Sequence, residues 1–143
     1  SQGIKEVSER AVLNANYIRA RLKDHYHLAF EASSMHEVVF TDKHFKPYGI
    51  KTLDVAKRLL DYGFHSPTVY FPITVSGAIM IEPTESESME TLDHFCDVMI
   101  KICDEAKTDP EMVKKAPHNT FRRRLDETKA IKEPKLRERF NHD

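Results

Sequence analysis

Ile81-Glu82-Pro83-Thr84-Glu85-Ser86-Glu87-Ser88 ties a short apolar run, Ala78 to Ile81, to a long segment with helical periodicity. No other stretch constrains the fold as much. Pro83 lacks an N–H and cannot continue a central strand, so the apolar run has to stop there. Thr84 is a predicted helix cap, and Glu87 three residues later has the spacing of a capping box. The carboxylates at 82, 85 and 87 suit the positive end of a helix dipole. A strand passing directly into a helix predicts a mixed domain, with strands and helices sharing one core.

Periodicity supplies the other elements. Val7, Ala11, Ala15, Ile18 and Leu22 recur at helical spacing and predict a helix over 5–24. Residues 28–32 and 35–41 read as strands, and 42–49, with Pro47 and Gly49, as a loop. A helix over 52–62 follows, with Thr52 as N-cap, Gly63 as its stop, and Leu53, Ala56, Leu59 and Leu60 as its buried stripe. Residues 69–72 and 78–82 are two more short strands. A last helix over 86–107 buries Met89, Leu92, Phe95, Cys96, Met99, Ile102, Cys103 and Ala106. This order predicts an α+β domain over 1–107, a mostly antiparallel sheet with helices packed on one side. From 108 to 143 Pro110, Pro117 and Pro134 break the pattern, and Lys114, Lys115, Arg122, Arg123 and Arg124 make it locally basic. That reads as a charged extension docked on its own protein or on a partner.

The bulk properties exclude several roles. A formal net charge of -1 gives no whole-chain steering toward nucleic acid or an anionic membrane. No apolar run approaches the ~20 residues that span a bilayer. The first six residues have neither the basic nor the apolar part of a signal peptide, and without an initiator Met the chain reads as an internal cut through a longer protein. The 4 glycines are scattered, so no glycine-rich loop is expected to cradle a cofactor phosphate. Cys96 and Cys103 lie seven apart on one predicted helix face, roughly 10 Å along its axis. That is beyond disulfide reach, and the pair reads as buried free thiols of a reducing cytoplasm.

Candidate chemistry is sparse. His36-Glu37 begins a near miss to the H-E-x-x-H zinc motif, without the second histidine and in an extended segment, so no metal site is expected. The loop His65-Ser66-Pro67-Thr68 leaves a helix and enters a strand, a place where function often sits, although local backbone capping also accounts for those residues. Glu82 and Glu85 are either acid/base groups or dipole and capping residues. On the residues alone, His65, Ser66, Thr68, Glu82, Thr84 and Glu85 are the polar candidates of these two segments, and no catalytic set is complete.

These segments resemble a known family. Met35-His36-Glu37, then Asp54-Val55-Ala56-Lys57-Arg58-Leu59-Leu60-Asp61-Tyr62-Gly63-Phe64-His65-Ser66-Pro67-Thr68, the 81–88 junction, and Leu92-Asp93-His94-Phe95-Cys96-Asp97-Val98-Met99-Ile100 are similar to the C-terminal region of the glycine cleavage system P-protein. Ala116-Pro117-His118 and Arg123-Arg124-Leu125-Asp126-Glu127 look like subunit 2 of the two-subunit bacterial form. The resemblance implies the small C-terminal domain of a fold-type I pyridoxal-phosphate enzyme, with His65, Ser66, Thr68, Glu82, Thr84 and Glu85 nearest its active-site mouth. It implies glycine decarboxylation with transfer of the aminomethyl group to the lipoyl arm of H-protein. The implied partners are the large cofactor-binding domain, P-protein subunit 1 and lipoylated H-protein. In that family the cofactor lysine follows a histidine, and no His-Lys pair occurs in this chain. The chain alone is therefore expected to bind no cofactor and to be inactive. Many fold-type I enzymes carry an arginine on the strand before the last helix, whereas residues 78–82 have none. A rival reading is a free-standing α+β interaction module that uses its basic tail.

Overall fold

The computed structural model describes residues 2–137. Helix α1 (Gln2–Leu22) is followed by β1 (His27–Leu28) and β2 (Val38–Thr41), a 3-10 helix (Asp42–Tyr48), and helix α2 (Thr52–Asp61). Strands β3 (Thr68–Val69) and β4 (Ala78–Ile81) precede the long helix α3 (Met89–Thr108) and the short helices α4 (Pro110–Lys114) and α5 (Glu127–Lys132). The four strands form one antiparallel sheet in the order β1-β2-β4-β3, with Val38 opposite Ile81 and Thr41 opposite Ala78. This is the expected α+β arrangement with an antiparallel sheet. Successive strand residues point to opposite faces, and all four residues of β2 are buried, so the sheet is covered on both faces at that strand.

Helix α1 packs on α3 and on β2. Ile18, Leu22, Phe40, Phe45, Leu59, Ile79, Met99 and Ile102 meet in one core. Tyr26 lies fully buried in it and satisfies its hydroxyl by donating to the Met99 carbonyl at 2.8 Å, as a buried phenol requires. Cys96 and Cys103 are both buried and free, as expected. Burial raises both thiols, Cys96 to about 11, against a smaller opposing pull from the Arg21 guanidinium.

Several local expectations are corrected. Residues 42–49 are not a simple loop. Thr41 caps a 3-10 helix by accepting from the Lys43 N–H, and Gly49 closes it in the left-handed region at φ 66°. The cap of α2 is Lys51 rather than Thr52: the Asp54 carboxylate accepts from the Lys51 N–H at 2.7 Å, and the Thr52 hydroxyl is spent on the Gly77 carbonyl at 2.8 Å. Helix α3 starts at Met89, with the Ser88 hydroxyl accepting from the Thr91 N–H. Thr84 instead shares a hydrogen bond with the Ser86 hydroxyl at 2.7 Å, and no capping box forms there. Met89 is exposed and Phe95 half-buried, while Leu53 and Leu60 are only half-buried and Val55 joins Ala56 and Leu59 in the buried stripe of α2.

Two asparagines on α1 bind the loops beside it. Asn14, only 8% exposed, donates its amide to the Thr84 carbonyl at 2.8 Å. Asn16 accepts from the Ser34 N–H and donates to the Ser34 carbonyl. Farther along, Arg58 of α2 pairs with Asp61 at 2.9 Å and with Glu105 of α3 at 2.8 Å, and the Tyr62 hydroxyl also reaches Glu105. Beyond α3, residues 110–124 stay on this surface. Val113 and Ala116 are fully buried, Asp61 accepts the N–H groups of His118 and Asn119, and Arg124 pairs with Asp54 at 2.7 Å.

Candidate functional site

Gly63, at φ 80°, ends α2 in a conformation that favours glycine, and the Phe64 N–H returns to the Leu59 carbonyl. The chain is thereby turned across the end of β4, toward residues 82–87. A cleft of about 360 Å³ opens between the two segments. Its apolar wall is Ile18, Phe64, Ile81, Leu92 and Phe95, and its polar rim is His65, Ser66, Glu82, Glu87 and Thr91. Phe64 stands edge-on to Phe95 at 5.3 Å and lies 5.1 Å from the His94 ring, which fixes the position of the loop that carries His65 and Ser66.

Of the six residues singled out in the sequence, His65, Ser66 and Glu82 share this cleft. Thr84 and Glu85 line a neighbouring groove of about 400 Å³ between α1 and the 82–85 turn, where Glu82 also contributes. Thr68 begins β3, opposite Met80, and lines neither. His65 is exposed, and the Ser66 hydroxyl donates to the Pro67 carbonyl at 3.1 Å. Among the described residues no base is hydrogen-bonded to that serine. Glu82 has a partner the sequence did not reveal, since His36 Nε2 lies 3.6 Å from its carboxylate and 4.0 Å from Glu37. His36 and Glu37 were expected within a strand over 35–41, but β2 begins only at Val38 and leaves both in the preceding turn region.

Asn14 is the other residue that sequence reasoning missed. It sits three residues after Ala11 and four before Ile18, inside the apolar stripe of α1, and a polar residue at such a place signals a buried hydrogen bond. Among the described residues no group of three metal-ligating side chains comes together. No described helix is long and apolar enough to cross a membrane. Chemically, the cleft supplies an apolar seat with carboxylates and hydroxyls at its edge, and neither a lysine nor an arginine lies in its wall.

The geometry defines a small antiparallel α+β domain with a polar-rimmed cleft at its β4–α3 junction. The chain belongs to the family described as "Glycine dehydrogenase, C-terminal domain", which matches residues 7–124. Curated relatives named "Probable glycine dehydrogenase (decarboxylating) subunit 2" include one from Staphylococcus saprophyticus, 57% identical over 96% of this chain. Others are from Bacillus licheniformis and Listeria innocua, each 56% identical over 94% of this chain. The chain spans 28% of the length of each of these relatives. These matches do not favour the free-standing interaction module.

Proposed function

We propose that this chain is the C-terminal domain of a glycine dehydrogenase (decarboxylating) of fold type I, working in the cytoplasm with a second subunit. On this reading the whole enzyme uses pyridoxal phosphate to decarboxylate glycine and passes the aminomethyl group to the lipoyl arm of H-protein. The observation that carries the proposal is the 54–57% identity extending over nearly the whole chain, including both segments that form the cleft.

The cleft's donor set does not fit the cofactor. Pyridoxal phosphate needs an amine to hold its aldehyde and cations or clustered N–H groups for its phosphate, and the walls offer carboxylates, hydroxyls and rings instead. The cofactor is therefore assigned to the large domain, and this chain contributes the wall around its mouth. His65, Ser66, Glu82, Thr84 and Glu85 are placed nearest that mouth, with Thr68 at the start of the adjoining strand. Residues 1–107 form the small domain on this reading, and 108–143 are its charged extension.

The test is reconstitution. The complete subunit 2 carrying this sequence, combined with subunit 1, pyridoxal phosphate and lipoylated H-protein, is expected to exchange labelled bicarbonate into the glycine carboxyl group. Cofactor loading without any exchange would remove the proposal. The 143-residue chain alone is expected to show none.

A further inference from the structure

A second cleft lies at the opposite end of β4 from the first. It encloses about 450 Å³, and its lining includes Asp42, Lys46, Ile50, Lys51, Tyr70 and Gly77. Asp42 opens the 3-10 helix and is 8% exposed, and its Oδ1 is buried without a hydrogen-bond partner. No ion pair reaches its carboxylate among the described residues. A buried carboxylate left unpaired is costly, and such a cost persists where the group has another use.

The surroundings hold that carboxylate in place. The Gly77 carbonyl accepts both the Asp42 N–H at 3.0 Å and the Thr52 hydroxyl at 2.8 Å. Gly77 has φ 69°, and a Cβ at this position would overlap both carboxylate oxygens. Only glycine leaves room for them. Opposite charges stand over the same cleft, because Lys46 and Lys51 are exposed on its rim. Tyr70 is held at φ 58° with its hydroxyl accepting from the Leu53 N–H at 3.4 Å, and its ring joins Ile50 in the lining.

A simple cation is repelled by the two lysines, and a simple anion by Asp42. A molecule bearing both charges a few ångströms apart satisfies all three groups. We propose that this cleft binds a free zwitterionic α-amino acid, its ammonium on Asp42 and its carboxylate at Lys46 and Lys51. The volume is in the range of small-molecule sites, which run to hundreds of cubic ångströms, and leaves space for a side chain against Tyr70. Binding is read on the chain itself and does not depend on turnover by the complete enzyme.

The experiment follows backbone amide resonances of the isotope-labelled chain during addition of glycine, L-alanine or L-leucine. Acetate and methylammonium, at matched ionic strength, serve as the two halves of the ligand. Saturable shifts are expected at Asp42, Lys51 and Gly77 with at least one amino acid, about tenfold tighter than with either half. Asp42→Asn is expected to weaken that binding about tenfold, and Lys51→Met on the exposed rim, which leaves the core untouched, about threefold. Absence of saturable shifts up to about 100 mM of all three amino acids overturns the proposal. So does equal affinity for one half alone, or unchanged binding in Lys51→Met.

Discussion

The side-chain amide of Asn14, on the first helix, donates to the main-chain carbonyl of Thr84, seventy residues later, at 2.8 Å. The turn that follows β4 is thus held by a helix distant in sequence, and it carries Glu82 on one cleft and Glu85 on the next. Asn14→Leu keeps the branching at Cγ and removes the donor. It is expected to lower unfolding free energy by about 1–2 kcal/mol, measured by denaturant titration. In the complete enzyme kcat/KM should fall further than this loss of stability explains, and an unchanged kcat/KM would detach the turn from the site.

Ser88, not Thr84, satisfies the first turn of α3. Ser88→Ala is expected to cost about 1 kcal/mol, while Thr84→Ala stays within about 0.5 kcal/mol. Thermal melts of the two variants side by side distinguish these caps, and a larger loss at Thr84 reverses the assignment.

Asp61 and Glu105 give the fold an acid limit. Burial alone would raise both carboxyls. The Asn119 and His118 N–H groups and Arg58 overcome it at Asp61, and Arg58 and Tyr62 do so at Glu105, leaving both below their ordinary values of 3.8 and 4.5. A carboxyl whose folded pKa is depressed contributes stability above its unfolded pKa and loses it as pH falls through the folded value. The denaturant midpoint is therefore expected to be level from neutral pH to about pH 5 and to drop below about pH 4. In Arg58→Met the midpoint should be lower at neutral pH and the acid drop shallower. An acid drop identical to that of the unaltered chain would exclude this pair as its source.

Met80 lies on β4, opposite Val39 on one side and Thr68 on the other, and on the proposed fold-type I reading β4 is the strand on which many such enzymes carry an arginine that is absent here. A tight ion pair to the carboxylate that must leave would stabilise the ground state more than the transition state. In the complete enzyme Met80→Arg is expected to reduce kcat for glycine more than it changes KM. Steady-state kinetics decide it, and undiminished turnover defeats the argument.

The elements with strong periodicity were legible in the sequence. α1, α2, α3 and the strands β2 and β4 follow from apolar spacing and from Pro83, whereas the pairing of β2 with β4 is set by the tertiary path. Their ends were not, because several residues compete for each cap. Thr84 and Glu87 satisfy a capping pattern that Ser88 and the Thr91 N–H fulfil instead, and Thr52 is diverted by a carbonyl 25 residues away. Strands β1 and β3 are two residues each, pairing with half of the four-residue strands β2 and β4, which is shorter than the apolar runs at 28–32 and 69–72 suggested. In the site, the adjacency of His65, Ser66 and Glu82 depends on the tertiary path of two loops. The His36–Glu82 pair depends on where β2 begins, which no local pattern in residues 35–41 announces. The 3-10 helix was signalled by Thr41, Pro47 and Gly49, but the same residues also suit an irregular loop.

Asn14 and Asn16 belong to one helix and bind two different loops, at Thr84 and at Ser34. With 21 residues, α1 is a rod about 30 Å long, and its first two turns are free of those attachments. Mechanically it is a lever with both loops fastened near its middle. A load applied at its N-terminal end reaches the 82–85 turn and the loop around Ser34 together, so the two sides of the α1 groove tilt as one piece.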